Sequence, residues 1–242
     1  MNVIKLIKLM KNAYEYKSVL QNDDILKNEN VLINNNHLIH ENINGTKLLS
    51  TIPENKDFYN HHIIMINITS LMNITNEHIV ESNTLYKEIK NPKFFLNTFN
   101  SYTFSKYWKL NESIVHDIKV YCDQLISTVY IIHGNNKPDK FQIDSIGDLF
   151  NIIDKNENLF IEHMDFLHII NDLDNSYKHS FSNVLSPILL GQNDNCFCNL
   201  YSKYGKNVYS PNVLSYKVDD VVTMFNDFLE TFKLIVKEYV KC

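Results

Sequence analysis

Residues 160–181, FIEHMDFLHIINDLDNSYKHSF, separate two residue classes on the period of an α-helix. Phe166, Ile169, Ile170, Leu173 and Tyr177 recur at three- and four-residue intervals, and Asp165, His168, Asp172, Asn175 and His179 form a second stripe at the same spacing. A helix divided in this way must lay one side against apolar neighbours. Its other side presents imidazoles, carboxylates and an amide together. The first requirement points to a helical bundle, and the second marks where chemistry is to be sought. The competing reading of such a stripe is a solvated helix face.

The same periodicity continues through most of the chain. It predicts helices over roughly 59–73, 76–90, 92–108, 112–133, 142–154, 158–181 and 218–241. Asn111, followed by Glu112 and Ser113, reads as the cap of a central helix whose buried stripe is Ile114, Ile118, Leu125, Val129 and Ile132 and which stops near Gly134. The last helix aligns Val221, Val222, Phe225, Leu229, Phe232, Val236 and Tyr239, with Asp219 and Asp220 in its first turn and Lys237 and Lys241 in its last, as the helix dipole favours. Between 184 and 217 the helical period is lost. The short runs 196–201 and 208–216, on either side of Lys203-Tyr204-Gly205-Lys206-Asn207, predict a small hairpin or ordered loop. The expected class is therefore all-α, a helical bundle with a small β-hairpin or irregular insertion before the C-terminal helix. Residues 58–242 form the bundle, and residues 1–57 form an N-terminal extension with an amphipathic start (about 2–19) and a polar, asparagine-dense remainder. In that remainder, Asn34-Asn35-Asn36 lies between two apolar runs and reads as a short hairpin or a connector.

Charge narrows the partners. The 242 residues carry a net charge of −5 and all 23 basic residues are lysine, so no guanidinium is present to grip a phosphate bidentately. This balance argues against duplex DNA as a partner and leaves a local RNA contact open. No segment has the length or apolarity of a transmembrane helix, and the lysine-broken start does not read as a secretory signal. The cysteines Cys122, Cys196, Cys198 and Cys242 are too scattered for a disulfide framework, so reduced thiols and a cytoplasmic location are expected, with no membrane partner.

Two family resemblances bear on the polar stripe. The decapeptide 171–180, NDLDNSYKHS, looks like the N-box of histidine-kinase ATPase domains, but the glycine-rich loops that such a nucleotide site needs are missing downstream, where only the isolated Gly191 and Gly205 occur. Residues 60–241 resemble HEPN-like domains more closely. These are helical bundles in which a late helix carries arginine, a polar residue, three variable residues and histidine. Here Asn175 and His179 supply the polar residue and the histidine, and helix 112–133 would be the antiparallel partner. The chain departs from the pattern at Asp174, which stands where the ribonuclease members carry arginine; Lys178 is a nearby cation, but its helical angle turns it off the Asn175–His179 face.

The resemblance implies a homodimer acting on RNA, as a metal-independent ribonuclease of a toxin–antitoxin or antiphage system, or a catalytically degenerate relative that binds a partner protein. His179 would then be the general acid or base, Asn175 would orient the substrate or the ring, and Asp172 would complete the candidate catalytic set. No cofactor is implied.

A divalent metal ion is the alternative. His168 and Asp172 stand one turn apart and can ligate together, joined by residues such as His116 or Asp117 from the facing helix. His168 and His179 cannot share an ion, because eleven residues of helix separate them by about 16 Å. Cys196-Phe-Cys198 matches no common zinc spacing and reads as structural. The aromatic-rich stretch 94–108 reads as core before it reads as a base-stacking surface.

Overall fold

The computed structural model describes residues 38–39, 59–90, 101–134, 142–152, 158–179, 193–201 and 212–240. Among these, five α-helices run in chain order: α1 (Tyr59–Ile89), α2 (Ser101–Ile132), the short α3 (Ile146–Phe150), α4 (Met164–His179), entered through a 3-10 turn (Ile161–His163), and α5 (Val218–Val240). One antiparallel hairpin, β1 (Cys196–Tyr201) and β2 (Asn212–Lys217), precedes α5, with Cys196 opposite Lys217 and Tyr201 opposite Asn212. The fold is an all-α bundle with a small hairpin before its last helix, the class the periodicity predicts.

Side-chain pairings fix the helix directions. Ser82 meets Asn111 while Thr75 meets Asp117, so α1 and α2 are antiparallel. His116 meets Asp174, and the Tyr130 hydroxyl accepts from the Leu159 amide just ahead of α4, so α2 and α4 are antiparallel as well. Phe166 lies against Phe225 and Phe228 while His163 meets Thr231, which reverses direction again between α4 and α5. The core between them holds Ile114, Ile118, Leu125 and Val129 of α2, Phe166, Ile170, Leu173 and Tyr177 of α4, and Val221, Val222, Phe225, Leu229, Phe232 and Val236 of α5. Each large apolar side chain fully removed from water contributes roughly 1.5–3 kcal/mol, and this burial is what turns amphipathic segments into stable helices.

α1 and α2 are longer than the sequence signals suggest. The break expected near 74–75 is absent because the polar residues there are satisfied inside a continuous helix: Asn73 Nδ2 donates to the Thr69 carbonyl (2.8 Å) and Thr75 Oγ1 to the Leu71 carbonyl (3.1 Å). Asn111 is not a cap. It is buried within α2, where its Oδ1 accepts from Ser82 Oγ at 2.5 Å. The end of α2 is where the sequence places it, with Gly134 at φ +79°, a conformation that costs glycine little. α3 is shorter than the predicted 142–154, with Ser145 as its N-cap and Asn151 as its C-cap.

The N-terminal stretch enters the bundle at two described residues. Leu38 and Ile39 are buried in the main core. The Asn76 side chain pairs with both backbone groups of Ile39, accepting from its N–H (2.9 Å) and donating to its carbonyl (3.0 Å), while Asn226 Nδ2 donates to the Leu38 carbonyl (3.0 Å). Two asparagines thus supply the backbone partners that a neighbouring strand would give. The rest of 1–57, including the expected amphipathic start and the Asn34–Asn36 turn, lies outside the described residues.

Candidate functional site

α4 presents its two stripes as the spacing demands. Phe166, Ile170, Leu173 and Tyr177 are buried and Ile169 is half-buried, whereas Asp165, His168, Asp172 and Asn175 are exposed. His179 is the final residue of α4, one turn beyond Asn175, and its side chain lies outside the described residues. The His168 ring stacks on Phe150 of α3, with ring centroids 4.0 Å apart and planes 16° apart. Asp172 faces the hairpin closely enough that its charge joins burial in pushing the Tyr216 phenol up. His168 and Asp172 thus sit on the same exposed face, and among the described residues no group of three or more His, Cys, Asp or Glu side chains is placed to hold a metal ion.

The polar centre of α4 lies beside the stripe. Asp174, with a side chain only 4% exposed, accepts from Lys178 Nζ on Oδ2 (2.6 Å) and contacts His116 Nδ1 of α2 through Oδ1 (3.1 Å). Both partners reach outward, His116 with 49% of its side chain exposed and Lys178 with 42%. Lys178 follows Asp174 by one helical turn, which is why it points away from the Asn175–His179 face. A buried carboxylate needs compensating donors, and here each oxygen has one. An ionised carboxylate only accepts, so with Asp174 as acceptor the proton-bearing nitrogen in this contact is His116 Nδ1. Nε2 points away from the carboxylate and among the described residues has no hydrogen-bond partner.

A second polar group adjoins this one on the α1 side. Thr75 Oγ1 has one proton to share between the Leu71 carbonyl (3.1 Å) and Asp117 Oδ2 (3.0 Å), both acceptors, so the Tyr121 hydroxyl 2.7 Å away donates to it. Burial pushes the Asp117 carboxyl up, while the Thr75 hydrogen bond and the charges of His78 and His116 act in the opposite direction. Together α1, α2 and α4 bring Thr75, His78, His116, Asp117, Asp174 and Lys178 to one side of the bundle.

A separate polar network ties the hairpin down. Asn195, next to β1, receives the Tyr107 hydroxyl on Oδ1 (2.7 Å) and donates through Nδ2 to Ser82 Oγ (3.0 Å) and Asn83 Oδ1 (2.9 Å), and Ser82 passes the chain on to Asn111. The Val218 amide donates to the Asn195 carbonyl where α5 begins (3.0 Å). Asn195, Ser82, Tyr107 and Asn111 are buried and uncharged, so this network locates elements and offers nothing to a solvent-borne ligand.

Cys122 and Cys196 are free, buried thiols, and burial pushes both up, away from the reactive thiolate. Phe104 and Tyr107 from the aromatic-rich stretch are core residues, whereas Tyr102 is exposed. No helix among the described residues is long and apolar enough to cross a membrane. No motif in the sequence joins His116 to Asp174, 58 residues away. The spacing gives no signal for the pair: His116, two positions from both Ile114 and Ile118, lies across the helix from that buried stripe, whereas Asp174 falls on the buried side of α4 next to Leu173. Comparison with protein-family models, with curated proteins and with solved structures finds no match.

Proposed function

We propose that the chain is a HEPN-like helical protein that cleaves RNA without a metal ion, as a cytoplasmic homodimer in a toxin–antitoxin or antiphage setting. The supporting observation is the final turn of α4: Asn175 is exposed, His179 follows one turn later, and the helix runs antiparallel to α2. In this reading His179 exchanges the proton, Asn175 orients the ring or the RNA, and Asp172 belongs to the same exposed stripe. Lysine supplies the positive charge in a chain that has no arginine.

A second reading, a degenerate relative that binds a partner protein, is favoured by Asp174. A carboxylate stands where ribonuclease members of the family carry arginine, and the neighbouring cation Lys178 is engaged with it. The test is cleavage of a labelled RNA pool by the full chain in chelator, beside His179→Ala. Cleavage that survives chelator and is lost in His179→Ala supports the nuclease with His179 in its site. Cleavage that chelator abolishes turns the reading to a metal ion near His168 and Asp172, and absence of cleavage turns it to the binding module. Sedimentation of the intact chain checks the dimer.

A further inference from the structure

We infer that His116 is a general base for RNA cleavage, with Asp174 as its positioning residue and Lys178 as the contact for the scissile phosphate. The inference rests on the ribonuclease reading and adds a residue of α2 to a site otherwise confined to α4. It starts from a surplus. A salt link between α2 and α4 needs only His116 Nδ1 on Asp174, yet half of the imidazole is exposed and Nε2 has no partner among the described residues. A buried carboxylate that fixes the Nδ1–H tautomer of a half-exposed imidazole is the arrangement that makes the other ring nitrogen a base. The same carboxylate holds Lys178 by its other oxygen, so a cation stands beside the base. An ammonium there can meet a phosphate oxygen and stabilise the charge that develops on it.

The reaction this set serves is transphosphorylation of single-stranded RNA. The 2′ oxygen forms a bond to phosphorus as the bond from phosphorus to the 5′ oxygen breaks. The 2′-hydroxyl proton passes to His116 Nε2, and the departing 5′ oxygen takes a proton from His179, the residue that exchanges a proton in the ribonuclease reading, with both rings reset through solvent. The products are a 2′,3′-cyclic phosphate and a 5′ hydroxyl, and no metal or further reactant enters the balance.

The test is cleavage of a short labelled single-stranded RNA by the full chain in chelator, with wild type compared with His116→Asn, His116→Ala and Asp174→Asn. Asparagine at 116 keeps a donor near the position of Nδ1 but has no base, which makes it the variant that preserves the fold. The expected results are a cyclic phosphate end from wild type, a loss of about 10²–10⁴-fold in kcat for both His116 variants with melting unchanged in His116→Asn, and a fall in kcat at constant KM for Asp174→Asn. If wild type cleaves and His116→Asn cleaves equally fast, the role of His116 is overturned while the ribonuclease reading stands. If folded wild type does not cleave, the ribonuclease reading falls and the role of His116 falls with it.

Discussion

Two of the polar clusters among the described residues, one around Asn195 and one around Asp174, differ in charge and in closure. The cluster around Asn195, with Ser82, Asn83, Tyr107 and Asn111, is neutral, largely buried and linked by hydrogen bonds among its own members. The cluster around Asp174 is charged and half open: one buried carboxylate anchors two side chains that extend into solvent. A closed neutral network contributes specificity, because each member is satisfied only when α1, α2 and the hairpin take this arrangement. An open charged one leaves reactive groups where a ligand can reach them. The difference teaches that burial of the anchor combined with exposure of what it holds, rather than polarity in the core as such, is the mark of a candidate site.

Substitutions can break that contrast. The largest expected effect is on RNA cleavage in His116→Asn, a loss of about 10²–10⁴-fold measured in chelator with the melting temperature unchanged. Asn195→Ala should give the reverse pattern. Removing the Asn195 hydrogen bonds to Tyr107, Ser82 and Asn83 costs about 1–3 kcal/mol, a fall in melting temperature of roughly 2–12 °C by thermal denaturation, with cleavage per folded molecule unaltered. Asn76→Ala removes both partners of the Ile39 backbone and should cost about 1–2 kcal/mol, read in denaturant unfolding, together with faster amide exchange at Ile39.

The smallest effect sharpens the comparison through pH. His163 is half-buried with Nε2 2.7 Å from Thr231 Oγ1, and burial pushes its imidazole below the usual 6.5, while Asp227 and Glu162 pull it the other way. The unfolded chain therefore takes up this proton at a higher pH than the folded one, so stability falls as pH drops through 6.5 towards the lowered folded value. His163→Gln should flatten that part of the stability profile. An unchanged slope in pH-dependent unfolding would place the titration elsewhere.

Much of the frame was legible in the sequence because burial has a period. Phe166, Ile170, Leu173 and Tyr177 of α4 and the apolar row of α5 from Val221 to Val236 are buried as their spacing requires, and β1 falls on 196–201 as its bounding residues indicate. What escaped were side chains whose role depends on a partner distant in sequence. Asn111 looks like a cap and the helical signal lapses before Asn76, because short polar groups can satisfy free backbone ends; Thr75, Asn76 and Asn111 are the residues concerned. In the folded chain they bond to a carbonyl one turn back, to Ile39 and to Ser82, and the helices run through them. The candidate site shows the same division. The exposed stripe Asp165, His168, Asp172 and Asn175 could be read from one helix alone, whereas the meeting of His116 with Asp174, 58 residues apart, depends on the register between α2 and α4, which no local pattern encodes.

The central claim, that Asp174 holds His116 with its proton on Nδ1 and its Nε2 lone pair free, can be tested without any substrate. A two-bond nitrogen–proton correlation spectrum of the full chain with labelled histidine rings, recorded for wild type and Asp174→Asn and assigned with His116→Asn, reads the tautomer directly. Wild type should show the Nδ1–H form at His116, and Asp174→Asn should lose it. An Nε2–H form in wild type, or a tautomer indifferent to the change at Asp174, would contradict it.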